Sequence, residues 1–204
     1  MTKTTKITYT AVFAALATVL MFFEFPLPLM PPFLMVDLSG AIVLIGAFIF
    51  GIGPAIAMIL IKDLIHVTMT KTAGSGELAD FLMLSTLVIF AVLLYRTVKT
   101  RKMALIGCSV GAVAMAGMGM LTNYFLIIPF YSTMMPLDAI LSMCSTVNPH
   151  INGMAGYLLL GVLPFNLIKG AILTAITMLV YKKLSVFIKS KQISLHHAAN
   201  QVKN

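Results

Sequence analysis

A few polar side chains interrupt runs of this sequence that are otherwise apolar, and their types suit ligand recognition better than covalent chemistry. In "LPFNLIKG" (163–170), Asn166 and Lys169 stand three residues apart, on one face if the run is helical. An amide offers a donor and an acceptor side by side and an ammonium offers three donors, so the pair can grip a flat polar edge. In "IKDLIH" (61–66), Lys62, Asp63 and His66 suit an ion pair with a neighbouring imidazole, or a proton relay. Asn123 lies five residues before Ile128 in a third apolar run, and Glu77 and Leu78 follow the turn "AGSG" (73–76). H-E-x-x-H, G-x-S-x-G and the phosphate-binding G-x-x-x-x-G-K-[ST] are all missing, so the chain is read as non-enzymatic and without its own ATPase. Cys108 and Cys144 lack metal-ligand spacing; no metal, disulfide or cofactor is expected.

The setting of these residues is a membrane. Of the 204 residues, 60% are hydrophobic and 10% charged, against about 25% charged in soluble domains. The mean hydropathy is +1.02, so lipid must solvate most of the surface. The apolar segments run continuously for roughly 17–25 residues, which favours helices over the ~10-residue alternation of barrel strands. The net charge of +8 would suggest a nucleic-acid partner in a soluble protein. Here it concentrates at Lys3 and Lys6, at Arg96, Lys99, Arg101 and Lys102, and in the tail at Lys182, Lys183, Lys189, Lys191 and Lys203. That distribution marks positive-inside anchors, and no nucleic acid is expected.

The pattern predicts an all-α membrane protein, one domain over 1–204, with six spans at about 7–23, 38–50, 55–69, 78–95, 103–128 and 164–181. Residues 7–23 are expected to stay as a helix, since Glu24-Phe25-Pro26 follows where a signal peptide would have small residues. Pro164 is expected in the first turn of the last span, where its missing N–H goes unneeded. Residues 129–163 are expected as a long apolar connection lying over or dipping into the outer face. Six spans put both termini on the side of the basic loop 96–102, hence in the cytoplasm, leaving Lys71 alone among Lys and Arg outside.

On this topology Asn123, Asn166, Lys169 and the Glu77–Leu78 turn lie toward the outer ends of their helices. With Asp63 and His66 they outline a pocket open to the exterior. Ionisable groups at membrane depth are usually functional. Blander roles compete: Lys169 snorkelling to headgroups, the asparagines bonding helix to helix, and Lys62–Asp63 as a structural pair. The first span carries small residues at Ala11, Ala14, Ala15 and Thr18, a face for close packing within the bundle or against another membrane protein.

Five stretches taken in order resemble a known family: "TAVFAALATVLMF" (10–22), "FPLPLMPPFLMVDLSG" (25–40), "GPAIAMILIKDLIH" (53–66), "GSGELADFL" (74–82) and "LPFNLIKG". The chain resembles the substrate-binding S components of energy-coupling factor (ECF) transporters, and among them the riboflavin-binding members. The resemblance implies a small six-helix protein of the bacterial plasma membrane that captures a vitamin outside. It implies partners as well: a transmembrane T component and two cytoplasmic ATPases that drive uptake. It assigns T-component docking to Ala11 and Ala15, and flavin contacts to Asn123, Asn166 and Lys169 with the backbone around Leu78.

The residue chemistry is compatible with riboflavin, whose flat tricycle carries a pyrimidine edge of carbonyl acceptors and one N–H donor. Asn166 and Lys169 could hold that edge while Leu, Met and Phe sandwich the ring; Asp63, Lys62 or Glu77 could meet the ribityl hydroxyls. Competing readings are an S component for another vitamin (thiamine or biotin), a self-sufficient proton-coupled carrier built on Lys62, Asp63 and His66, and a structural membrane subunit.

Overall fold

The computed structural model describes residues 2–31, 33–70 and 72–181. Lys71, Pro32 and the basic tail that enters the orientation argument lie outside the described residues.

Helix α1, Lys3–Met21, opens on Thr2, whose hydroxyl accepts from the Thr5 N–H at 3.3 Å and satisfies one of the orphan donors of the first turn. The proline-rich connection folds back as an antiparallel pair of two-residue strands, β1 (Phe25–Pro26) and β2 (Met35–Val36), with Phe25 opposite Val36. Then come α2 (Ser39–Phe50) and α3 (Ile52–His66), joined at Gly51. Gly51 has φ +94°, a conformation open to glycine, and a side chain there would also meet the Arg96 guanidinium. Helix α4 is Ser75–Thr97, α5 is Arg101–Ser132, α6 is Leu137–Val147 and α7 is Gly153–Tyr181.

Five of these are long and apolar enough to cross a bilayer: α1, α3 with its 3-10 extension to Met69, α4, α5 and α7. Helix α2, expected as a short span, has 12 residues and rises only about 18 Å, less than the ~30 Å hydrocarbon core. It is buried on nearly every side, from Ser39 to Phe50. Within the apolar core, hydroxyls fold back onto their own helix: Thr18 donates to the Ala14 carbonyl at 2.8 Å, and Thr174 and Thr177 bond the Gly170 and Leu173 carbonyls at 2.7 Å.

The segment 129–163 differs from the expected connection. It forms the last turn of α5, the 11-residue α6 and the first turns of α7, so Pro164 lies inside a helix and not in its first turn. Helix continues past both prolines because a π-turn precedes each one. Asn123–Ile127 and Tyr157–Val162 have π geometry, and the N–H groups of Ile128 and Leu163, just before Pro129 and Pro164, reach back five residues to Asn123 and Leu158. A proline ring clashes with the carbonyl four residues back and cannot donate to it. The wider turn displaces that carbonyl and spares the helix.

Helices α4 and α5 approach most closely at Gly107 and Gly111. A Cβ at either would stand 2.6 Å from the Ala91 or Leu87 carbonyl oxygen, so only glycine permits this backbone contact.

Candidate ligand-binding site

A cavity of about 380 Å³ opens where α1 and α3 end and α4 begins. That lies within the ~300–1,000 Å³ of small-molecule sites. Its apolar wall comes from Met21, Phe33, Leu34, Met83, Ile127 and Phe165, with Tyr131 and Met143 of α5 and α6. Its polar wall includes Asp37, His66, Glu77, Asp80, Asn123 and Lys169. The charged turn holding Arg96, Lys99, Arg101 and Lys102 is at the far end of α4, whose 23 residues rise about 34 Å.

An ionic chain reaches the cavity wall at Asp37, Asp80 and Lys169. Lys169 Nζ on α7 donates to Asp80 Oδ1 on α4 at 2.8 Å and to Asp37 Oδ2 at 3.0 Å. The other Asp80 oxygen accepts from Lys62 Nζ at 2.6 Å, and Lys62 also holds Asp63 Oδ1 at 2.6 Å. Lys62 is fully buried, and burying an ammonium is tolerable only because two carboxylates surround it. Asp37 additionally accepts from the N–H of Ser39 at 2.9 Å and from its hydroxyl, which orients the carboxylate at the start of α2. Burial and the neighbouring Asp80 push the Asp37 carboxyl up, but the Lys169 and Lys62 ammoniums, with the Ser39 hydroxyl, outweigh them and hold the group below its ordinary value.

Also on the wall, His66 Nδ1 and Glu77 Oε1 are 2.8 Å apart, and the Thr72 hydroxyl donates to Glu77 Oε2 at 3.0 Å. The pair ties the end of α3 to the beginning of α4.

Of the residues expected at the site, Asn123, Glu77 and Lys169 share the cavity wall; Asn166, Leu78 and Asp63 are off it. Asn166 donates to the Val162 carbonyl at 3.0 Å, packed where Gly119 leaves no side chain. Its Oδ1 is buried without a partner among the described residues. The Leu78 N–H is bonded to Gly74 and its side chain is exposed. Asp63 sits behind Lys62. On α1 the small-residue face divides: Ala14 and Thr18 are buried in the bundle, while Ala11 and Ala15 are exposed.

Two site residues escaped the sequence reading as ligands of Lys169: Asp37 and Asp80. Asp80 did leave a signal, a lone carboxylate in an apolar run three residues beyond Glu77. Such a group at membrane depth requires a cation at the same level.

A helical bundle with five bilayer-length helices and an end cavity backed by a linked chain of buried charges is the architecture of a membrane protein with a candidate ligand site. The family model described as ECF transporter, substrate-specific component, matches residues 5–181, and the chain belongs to that family. It is 28% identical over 176 residues to the riboflavin transporter RibU of Staphylococcus aureus (strain TCH60), covering 86% of this chain and 88% of that protein. It is 26% identical over 198 residues to the riboflavin transporter FmnP of Bacillus subtilis (strain 168), covering 96% and 100%. The solved S component of a bacterial ECF transporter superposes with a TM-score of 0.75 at 26% identity, over 92% of this chain and 99% of that one.

Proposed function

We propose that this chain is the riboflavin-capturing S component of an ECF transporter, a single membrane domain that takes the vitamin from outside the cell. It then delivers the vitamin for uptake driven by a T component and two ATPases. The observation that carries this reading is the composition of the cavity wall. Met and Phe side chains face a flat tricycle, while Asn123 and Lys169 offer donors to its carbonyl edge. The riboflavin relatives, matched along nearly the whole chain, agree with it.

The proposed ligand set is Asn123 and Lys169 on the wall, Asn166 behind them, the backbone near Leu78, and Glu77 for the ribityl hydroxyls. The proposed topology has six passes, with α2 as the short one and both termini cytoplasmic. Its support is the separation of the cavity from the basic α4–α5 turn, which the positive-inside rule assigns to the cytoplasm. The exposed Ala11 and Ala15 are the proposed contact for the T component.

Titration of the purified protein with riboflavin tests the substrate: added vitamin should lose its fluorescence with stoichiometric saturation. Absence of quenching at micromolar ligand would overturn the reading. Uptake by the chain alone in proteoliposomes under a pH gradient would replace it with a proton-coupled carrier.

A further inference from the structure

Asn123 and Tyr157 begin the two π-turns, one on α5 and one on α7, and their side chains meet: the Tyr157 hydroxyl donates to Asn123 Oδ1 at 2.6 Å. Tyr157 is fully buried and stands off the cavity wall, whereas Asn123 lines it. On its other side the Asn123 amide donates to the Gly119 carbonyl at 2.8 Å. A carbonyl can only accept, so Gly119 fixes which end of the amide is nitrogen; the oxygen must then face Tyr157, which donates. Both groups are clamped, and the second N–H of the amide has no acceptor among the described residues.

We infer that Tyr157 is a positioning residue for ligand recognition: it locks the Asn123 amide so that an N–H, and never the oxygen, is presented to an acceptor on the ligand. The inference rests on the proposed riboflavin site, where a ring carbonyl is such an acceptor. The π-turns belong to the device. A proline follows each one, and the wider turn accommodates its ring; the first residues of the two wide turns, one on α5 and one on α7, are the pair in hydrogen-bond contact. Burial of the hydroxyl makes the lock stiff, since an Asn123 oxygen turned away from it would leave the hydroxyl without its acceptor.

The test is a double-mutant cycle in riboflavin affinity, with the melting temperature of each variant in detergent recorded alongside. Tyr157→Phe keeps the ring and removes the donor. It should weaken riboflavin binding roughly five- to tenfold, about the equivalent of one hydrogen bond. In an Asn123→Ala background the same change should have no further effect on affinity, whatever it does to melting. Full affinity in Tyr157→Phe, or an equal loss in both backgrounds, overturns the positioning role. A wild-type protein that does not bind riboflavin overturns the substrate reading, and this inference with it.

Discussion

Lys169 of α7 and Asp80 of α4, 89 residues apart in sequence, stand 2.8 Å apart on the cavity wall. The contact joins the two helices and places an ammonium on the wall, while Lys62 neutralises the other oxygen of the same carboxylate. Lys169 is therefore held between two carboxylates, not free to snorkel. A ligand reaching it meets a fixed, already neutralised donor.

Asp80→Asn should be severely destabilising. Lys62 keeps Asp63 and Lys169 keeps Asp37, but each buried ammonium loses one of its two charge-assisted hydrogen bonds, worth about 1.5–3 kcal/mol apiece. Thermal melting of the detergent-solubilised protein measures it. A melting temperature equal to that of the wild type would mean the ionic chain is not part of the folded state.

Lys169→Ala and Asn123→Ala should each weaken riboflavin binding by about 1–3 kcal/mol, the penalty for leaving buried partners unpaired. Fluorescence titration reads this directly. Unchanged affinity in both variants would remove these residues from the ligand set.

Ala11 and Ala15 are exposed on α1, so Ala11→Leu or Ala15→Leu should leave melting and riboflavin affinity near wild type. ATP-driven uptake by the reconstituted transporter should fall. Retention of uptake in both variants would move the docking face elsewhere.

Gly107→Ala and Gly111→Ala place a methyl 2.6 Å from a backbone oxygen of α4, and overpacking of this kind costs about 1–3 kcal/mol. Gly117→Ala in the same helix meets nothing within 4 Å and should be neutral or stabilising by about 0.4–1 kcal/mol. Equal melting of all three variants would show that the α4–α5 approach is not set by these glycines.

Hydrophobic length and charge distribution are properties of contiguous sequence, so the membrane setting and the positions of α1, α3, α4 and most of α5 could be read from it. The last turn of α5 and the first turns of α7 could not, because Pro129 looks like a helix stop and Pro164 like a helix start. What overrides them is a π-turn, a change of hydrogen-bond register that residue types do not announce. The small residues of α1 were visible as a stripe, but nothing local says that Ala14 and Thr18 turn inward while Ala11 and Ala15 stay exposed.

At the site, the sequence by itself determined which groups would be unhappy in lipid: Lys62, Asp63, Asn123, Asn166 and Lys169 each had to find a partner or a ligand. Only the tertiary structure decided the partners. Lys62 takes Asp63 and Asp80, Lys169 takes Asp37 and Asp80, and Asn123 takes Tyr157. The physical reason is that desolvation penalises each polar group where it stands. The compensating contact depends on which helices pack together, across separations of 34 to 132 residues for Asn123 and Lys169.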